Sequence, residues 1–252
     1  MARLFSEFVD ECRSNLMLVE TTIVRVYTEL LASNKSFVAV DGGAHHAYHT
    51  RKMAQLGGCR QVLAVEADPW TLRALYRAID EVPESARVKI KVIESALQQD
   101  PSIKQVSWMS SISHPGRSGV SSIWQNDESV EFRDHMFVDA TTIDTLCRNA
   151  IAPVGLIKLD LEGGDFMALR GGSETLLRDR PIVVFENSRK APGIYGFSTI
   201  DVAQFFESVD YVPMAFSGEI PNQSDWFSFW EMWAAPKEQA NALRHAIKSA
   251  IS

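Results

Sequence analysis

Apolar residues recur at helical spacing from Leu4 to about Leu31: Phe5, Phe8, Val9, Cys12 and Leu16, then Val19, Ile23, Val26, Tyr27 and Leu30. That period predicts one or two helices covering an edge or face of the rest of the fold. Short continuous apolar runs then take over. "SFVAV" is a strand ending at Asp41, a helix runs from about His46 to Leu56, and "QVLAVEA" is a second strand ending at Glu66. Asp68 and Pro69 supply an N-cap and a first-turn proline for the helix "PWTLRALYRAI". "RVKIKVIES" is a third strand. After a helix at "TTIDTLCRNA", "VGLIKLDL" is a fourth strand ending at Asp160 and Glu162. A helix closing at Gly171–Gly172 leads into a fifth, "PIVVFE", ending at Glu186. Continuous apolar strands alternating with helices predict a mostly parallel sheet covered on both faces.

Two stretches break the alternation. Gln105 to Phe137 is rich in Ser and Gly with isolated Trp108 and Trp124, and it reads as a long loop or short antiparallel ribbon. "DYVPMAF" and "FSFWEMWAA" are two late strands with no room for a crossover helix between them, so they pair antiparallel. A last helix, "KEQANALRHAIKSAI", carries Ala240, Leu243, Ile247 and Ile251 on one face.

Composition narrows the function. The 252 residues fit one core, and 46% hydrophobic with 23% charged residues is ordinary globular usage. A net charge of −7 argues against a nucleic-acid partner, which needs clustered Lys and Arg. Cys12, Cys59 and Cys147 are too few and too scattered for a disulfide framework or a zinc motif. Glu7, Asp10 and Glu11 interrupt the first apolar stretch, which excludes a signal peptide, and no run is long enough to span a bilayer. The expectation is a cytoplasmic protein with no membrane partner. The basic face "LRHAIK" is a candidate oligomer contact, and the oligomeric state stays open, a dimer included.

Four strands end in acids: Asp41, Glu66, Asp160 and Glu186. In an open parallel sheet these ends form one edge, where ligands bind. Glu66 lies 23 residues beyond Gly43 at the end of the second strand, placed to accept both ribose hydroxyls of an adenosine. The opening loop "FVAVDGGAHHAYHT" lacks the later glycines that a pyrophosphate requires, because His45, His46 and Ala47 crowd the turn. A sulfonium cofactor, S-adenosylmethionine, needs only Gly43 for close approach and Asp41 near its amino group.

With these pieces in view, the chain resembles the FkbM-type S-adenosylmethionine-dependent methyltransferases. "FVAVDGGAHHAYHT", "VLAVEADPWTLRAL", "VDATTIDTL" and above all "IKLDLEGGDFMALRGGSETLLRDRPIVVFE" carry the likeness, over roughly Phe37 to Trp233. The resemblance implies a Rossmann-like class I methyltransferase: a seven-stranded mostly parallel sheet with an antiparallel C-terminal strand and helices on both faces. It divides the chain into an N-terminal helical extension, 1–36, and a methyltransferase domain, 37–252. By the same resemblance Asp41, Gly43, Ala44 and His45 line the methionine end of the cofactor, Glu66 holds the ribose, and Ala67, Ser95 and Ala96 border the adenine. Asp160, Glu162 and Glu186 then face the methyl acceptor. The family usually has Asn at the position of His45, Gly at that of Ala47, and Glu at that of Asp165.

The expected reaction is methylation of a hydroxyl on a small molecule, sugar or natural product, with no nucleic-acid partner. Asp160, Glu186, His46 and His114 are candidate bases. A divalent ion at Asp160 and Glu162 is an alternative means of acidifying a diol. His45 and His49, four apart on a helix, would share a face, a weak metal signal against a capping or pocket-lining role. Most of Trp226, Phe227, Phe229, Trp230 and Trp233 read as core. Two rivals stay open: a catalytically inactive binding module of the same fold, and a nicotinamide-dependent oxidoreductase.

Overall fold

Helix α1 (Leu16–Leu31) starts where the Asn15 side chain accepts from the Leu18 N–H, and it buries Val19, Ile23, Val26 and Tyr27 on one stripe. The computed structural model describes residues 15–33, 36–112, 118–120, 131, 135–189, 191–222, 226–227 and 230–251. The helical pattern before Asn15, together with His114 and Trp124, lies outside the described residues.

The alternating region folds as its pattern predicts. β1 (Phe37–Gly42), α2 (Tyr48–Gln55), β2 (Cys59–Glu66), α3 (Pro69–Asp80), α4 (Glu84–Arg87) and β3 (Ile90–Glu94) follow in order. α3 opens on the Asp68 carboxylate, which accepts from the N–H groups of Trp70 and Thr71, with Pro69 in the first turn. α2 begins two residues later than expected, because His45 and Ala47 take left-handed backbone before it (φ 45° and 62°).

The middle of the chain is a ribbon. β4 (Ala96–Leu97), β5 (Gln105–Met109), β6 (Gly119–Val120) and β7 (Met136–Thr141) form a second sheet in the order β4-β7-β5-β6, with β5 antiparallel to both β6 and β7. Next come α5 (Ile143–Cys147), β8 (Val154–Leu159), α6 (Asp165–Arg170), α7 (Ser173–Asp179), β9 (Ile182–Glu186), α8 (Ala191–Tyr195) and α9 (Thr199–Ser208). The chain closes with β10 (Tyr211–Ala215), β11 (Glu231–Pro236) and α10 (Ala240–Ile251).

The main sheet has seven strands in the order β10-β11-β9-β8-β1-β2-β3. All pairings are parallel except those of β11, which runs antiparallel to β9 and β10. The order reverses between β1 and β8, and at such a point the strand C-termini open a crevice.

The period-2 alternation sorts each strand's side chains between two cores. Val38 and Val40 join Ile157, Leu169 and Phe206 on one face. Phe37 and Ala39 join Leu156, Val184 and Trp233 on the other, beneath α1 and α10. The same parity carries Asp41, Lys158, Glu186 and Glu231 to the α1-covered face at the crevice edge.

Candidate active site

Glu66 ends β2 with its carboxylate turned back onto the following backbone. Oε1 accepts from the N–H groups of Ala67 (2.9 Å) and Asp68 (2.8 Å), and Oε2 accepts from the His45 N–H at 3.1 Å. A carboxylate offers about four acceptor positions, so the backbone takes three and leaves one for a hydroxyl. The sequence had suggested an acid free to take two. Glu66 is only 8% exposed, and burial outweighs these donors, pushing its carboxyl from an ordinary 4.5 up to about 7.

The carboxylate borders a cavity of about 260 Å³ at the switch point, shared with Gly43, His45, Ala67, Ser95 and Ala96. Trp108 also lines it, as do Asp160, Glu162 and Tyr195. His45 Nε2 is buried and has no hydrogen-bond partner among the described residues, a position that a polar ligand atom or water would satisfy. Its imidazole is lowered by burial first and by His46 second. The left-handed backbone at His45 and Ala47 accounts for the residues that the family prefers there. Asn and Gly visit that region readily, whereas other residues give up roughly 1–2 kcal/mol.

Below the cavity floor lies a buried charge row that the sequence reading missed. Lys158 is 4% exposed, pairs in register with Asp41 across β1 and β8, and donates to Asp160 Oδ2 at 3.1 Å. Burial opposes its charge, but Asp160, then Asp41, Glu20 and Glu231, outweigh it and hold the ammonium above the ordinary lysine range. The Asp160 carboxyl, which burial would raise, is instead lowered by the charge and hydrogen bond of Lys158. α1 contributes directly: Glu20 hydrogen-bonds His49, whose other ring nitrogen lies 3.4 Å from the Tyr27 hydroxyl. A lysine within the otherwise apolar strand "VGLIKL" was the available signal.

The structure distributes the expected residues unevenly. Gly43, His45, Glu66, Ala67, Ser95, Ala96 and Asp160 meet around one cavity. Asp41 does not line it: it is 1% exposed on the α1 side and accepts from the Thr50 hydroxyl at 2.5 Å. Ala44 packs under α3 with Leu72 and Leu75. Glu186 does not line the cavity either: it stands beside a small niche walled by Phe166, Phe185 and Phe197, with the indole N–H of Trp230 donating to its Oε1 at 3.3 Å. Burial and then Asp160 push its carboxyl up to about 7. His46 is exposed and its ring lies tilted against that of His45, centroids 3.9 Å apart and planes at 60°. His114 lies outside the described residues. His45 and His49 share no helical face, because His45 precedes α2 and His49 is buried against α1. Among the described residues no group of three or more His, Cys, Asp or Glu side chains could hold a metal ion, and one oxygen of the Asp160 carboxylate is engaged by the Lys158 ammonium. The residues present therefore do not fit the divalent ion weighed for Asp160 and Glu162.

Asp165 joins the ends of β8 and β9, its oxygens accepting from the N–H groups of Leu161 and Glu186, each at 3.2 Å. Its carboxyl is raised by burial and then by Glu186, and that of Glu231 by burial and then by Asp160. With Glu66 and the partly buried Glu186, four acids thus bind protons more tightly when folded. On these four groups the folded state holds extra protons above about pH 4.5, so their contribution to stability is fullest at mildly acidic pH and falls as pH rises through 7. Glu66 alone, from 4.5 to about 7, accounts for on the order of 3 kcal/mol. Urea unfolding should give a smaller free energy at pH 8 than at pH 5, with a shallower slope in Glu66→Gln. Equal stability at the two pH values would refute this.

A sheet of this order, with a glutamate at the end of β2 and a cavity at the switch point, has the Rossmann-like methyltransferase fold. A sequence-family model, Methyltransferase FkbM domain, matches residues 41–213, and the chain belongs to that family. No curated protein sequence matches it. Among solved structures it is similar to methyltransferase FkbM from Methylobacillus flagellatus KT, with 16% identity and a TM-score of 0.50. That match covers 82% of this chain and 45% of the other, so the chain spans less than half of that protein's length. A putative methyltransferase from Streptococcus mutans in complex with SAH is 8% identical, covering 83% and 94% of the two chains at a TM-score of 0.46. An rRNA methylase from Streptococcus thermophilus is 10% identical, covering 83% and 90% at 0.44. At these identities the likeness is one of fold.

The expected acceptor requires correction. A small-molecule or carbohydrate acceptor, with nucleic acid excluded, does not stand once rRNA methylases are found among the similar structures, and no acceptor is established. Whole-chain charge was a poor guide, because acceptors are recognised by local surface outside the sheet. Among the described residues no helix is long and apolar enough to cross a membrane.

Proposed function

We propose that the chain transfers a methyl group from S-adenosylmethionine to a hydroxyl oxygen of its acceptor. The observation that carries this reading is the Glu66 carboxylate, held by three backbone N–H groups with one acceptor position left at the cavity. That position suits a ribose hydroxyl, and Ala67, Ser95 and Ala96 beside it are small enough to border a base. The orphaned His45 Nε2 offers a further polar contact, with Gly43 beside it on the cavity wall. The residues thus fit the cofactor.

When bound, the cofactor supplies a methyl already activated by its sulfonium. The protein's part is then to align acceptor and donor and to receive a proton. Asp160 lines the cavity, its side chain 41% exposed, and Lys158 keeps it ionised. It would accept the hydrogen of the acceptor hydroxyl, a role generally worth about two to four orders of magnitude. Glu186 is the second candidate, with a carboxyl near neutrality that is better matched to proton transfer but placed beside the neighbouring niche and not on the cavity wall.

S-adenosylhomocysteine at about a hundred times its dissociation constant should stabilise the protein by about 2.7 kcal/mol, an effect lost in Glu66→Ala. Failure of the wild type to respond would favour the inactive binding module. The hydroxyl is tested by incubating cell extract with S-adenosylmethionine carrying a carbon-13 methyl. A labelled product whose methyl resonates as N-methyl or C-methyl, not as O-methyl, would overturn that half of the reading.

A further inference from the structure

Trp108 lies on β5 of the second sheet, in the stretch that interrupts the alternating pattern. Its ring nonetheless packs against an apolar cluster of Ala67, just after β2, Ala96 of β4 and Val138 of β7. It lines the same cavity as Glu66. The indole N–H donates to Asp68 Oδ2 at 3.2 Å, and the Asp68 backbone N–H donates to Glu66 Oε1 at 2.8 Å. Two hydrogen bonds therefore link the ring to the carboxylate with the open acceptor position. The other large aromatic on the cavity wall, Tyr195, stands near Gly164 at the opposite, Asp160 side.

We propose that Trp108 recognises the purine base of the cofactor, so that the inserted ribbon completes the nucleoside site. This rests on the reading of the cavity as a cofactor site. A flat indole held in a fixed orientation beside small residues presents a π-face to a planar heterocycle. Asp68, capping α3 through one oxygen and fixing the indole through the other, sets the ring relative to the ribose position. Trp108 is thus a specificity residue contributed by an element that the sequence pattern sets apart from the cofactor fold.

Calorimetric titration with two ligands tests this: S-adenosylhomocysteine, and S-ribosylhomocysteine, which lacks the base. Trp108→Ala should weaken S-adenosylhomocysteine by about tenfold to a hundredfold, as loss of a base–aromatic stack does, while S-ribosylhomocysteine changes by less than about twofold. Trp108→Leu keeps apolar volume without the π-face and should show the same selective loss, which guards against a misfolded alanine variant. Trp108→Phe should keep most of the affinity. Equal losses for both ligands would mean that the ring only holds the ribbon in place, and unchanged S-adenosylhomocysteine affinity would mean that it does not touch the base; either overturns the proposal. Wild-type protein that binds neither ligand would instead overturn the cofactor reading itself, and this proposal with it.

Discussion

Gly43→Ala is expected to destabilise the protein by more than about 4 kcal/mol, the range that marks a named structural failure in single substitutions. Gly43 has φ +76°, and a Cβ there would stand 2.0 Å from the carbonyl oxygen of Asp160 and 3.0 Å from its carbon. The obstacle is backbone, so no rotamer change relieves it. The Asp160 N–H donates to Gly42 O at 3.0 Å, and making room would pull the ends of β1 and β8 apart at the crevice. Left-handed strain adds roughly 1–2 kcal/mol. Gly57→Ala is the matching control: its Cβ would meet nothing within 4 Å, and surface changes of that kind stay within about 0.5 kcal/mol. Urea unfolding of both variants is the measurement. A Gly43→Ala protein within about 1 kcal/mol of wild type would show that the two strand ends can part without cost.

Lys158→Met should cost about 3–5 kcal/mol at pH 8, the usual result of removing one partner from a buried ion pair. The methionine fills most of the space, so the loss is electrostatic. Asp41, Asp160 and Glu231 all raise the lysine's charge, and without it Asp41 and Glu231 remain buried among acids. Asp160 suffers less, with its side chain 41% exposed. Acids left without a cation have raised carboxyls, so the variant regains stability on acidification toward pH 5, where they bind protons. For a chain of this length the change corresponds to roughly 6–20 °C in melting temperature. A loss below about 1 kcal/mol at pH 8, or a defect that does not shrink at pH 5, would mean that Lys158 does not hold this row together.

These two positions also separate what is legible in a sequence from what is not. Gly43 reads as a glycine that lets a ligand approach, because the strand-turn-helix pattern around it is a nucleotide-site pattern. Its structural need is different: two backbones meet there, β1 and β8, more than a hundred residues apart in the chain. Asp41 reads as a member of the strand-end group of acids. Strand parity, however, sends it to the α1-covered face with Phe37 and Ala39, opposite Lys158. Trp108 reads as part of a detached loop, and only the pairing of β5 with β7 brings it to Ala67 and Glu66.

The sequence alone determined whatever depends on local period and local chemistry. Apolar runs separated by helical stretches specify the parallel sheet. Asp68–Pro69 starts α3, and the late strand pair has too short a connection to be parallel. Glu66 at a strand end marks one wall of the cavity. These features arise from interactions within a few residues, or from the burial that any strand of that composition demands. Only the tertiary structure decided which acids share a cavity and which are buried beneath it, that a lysine from β8 offsets the acids there, and that the inserted ribbon reaches the cavity beside Glu66. Those outcomes depend on register and on contacts between distant segments, and a buried charge is tolerable only where such a contact supplies its partner.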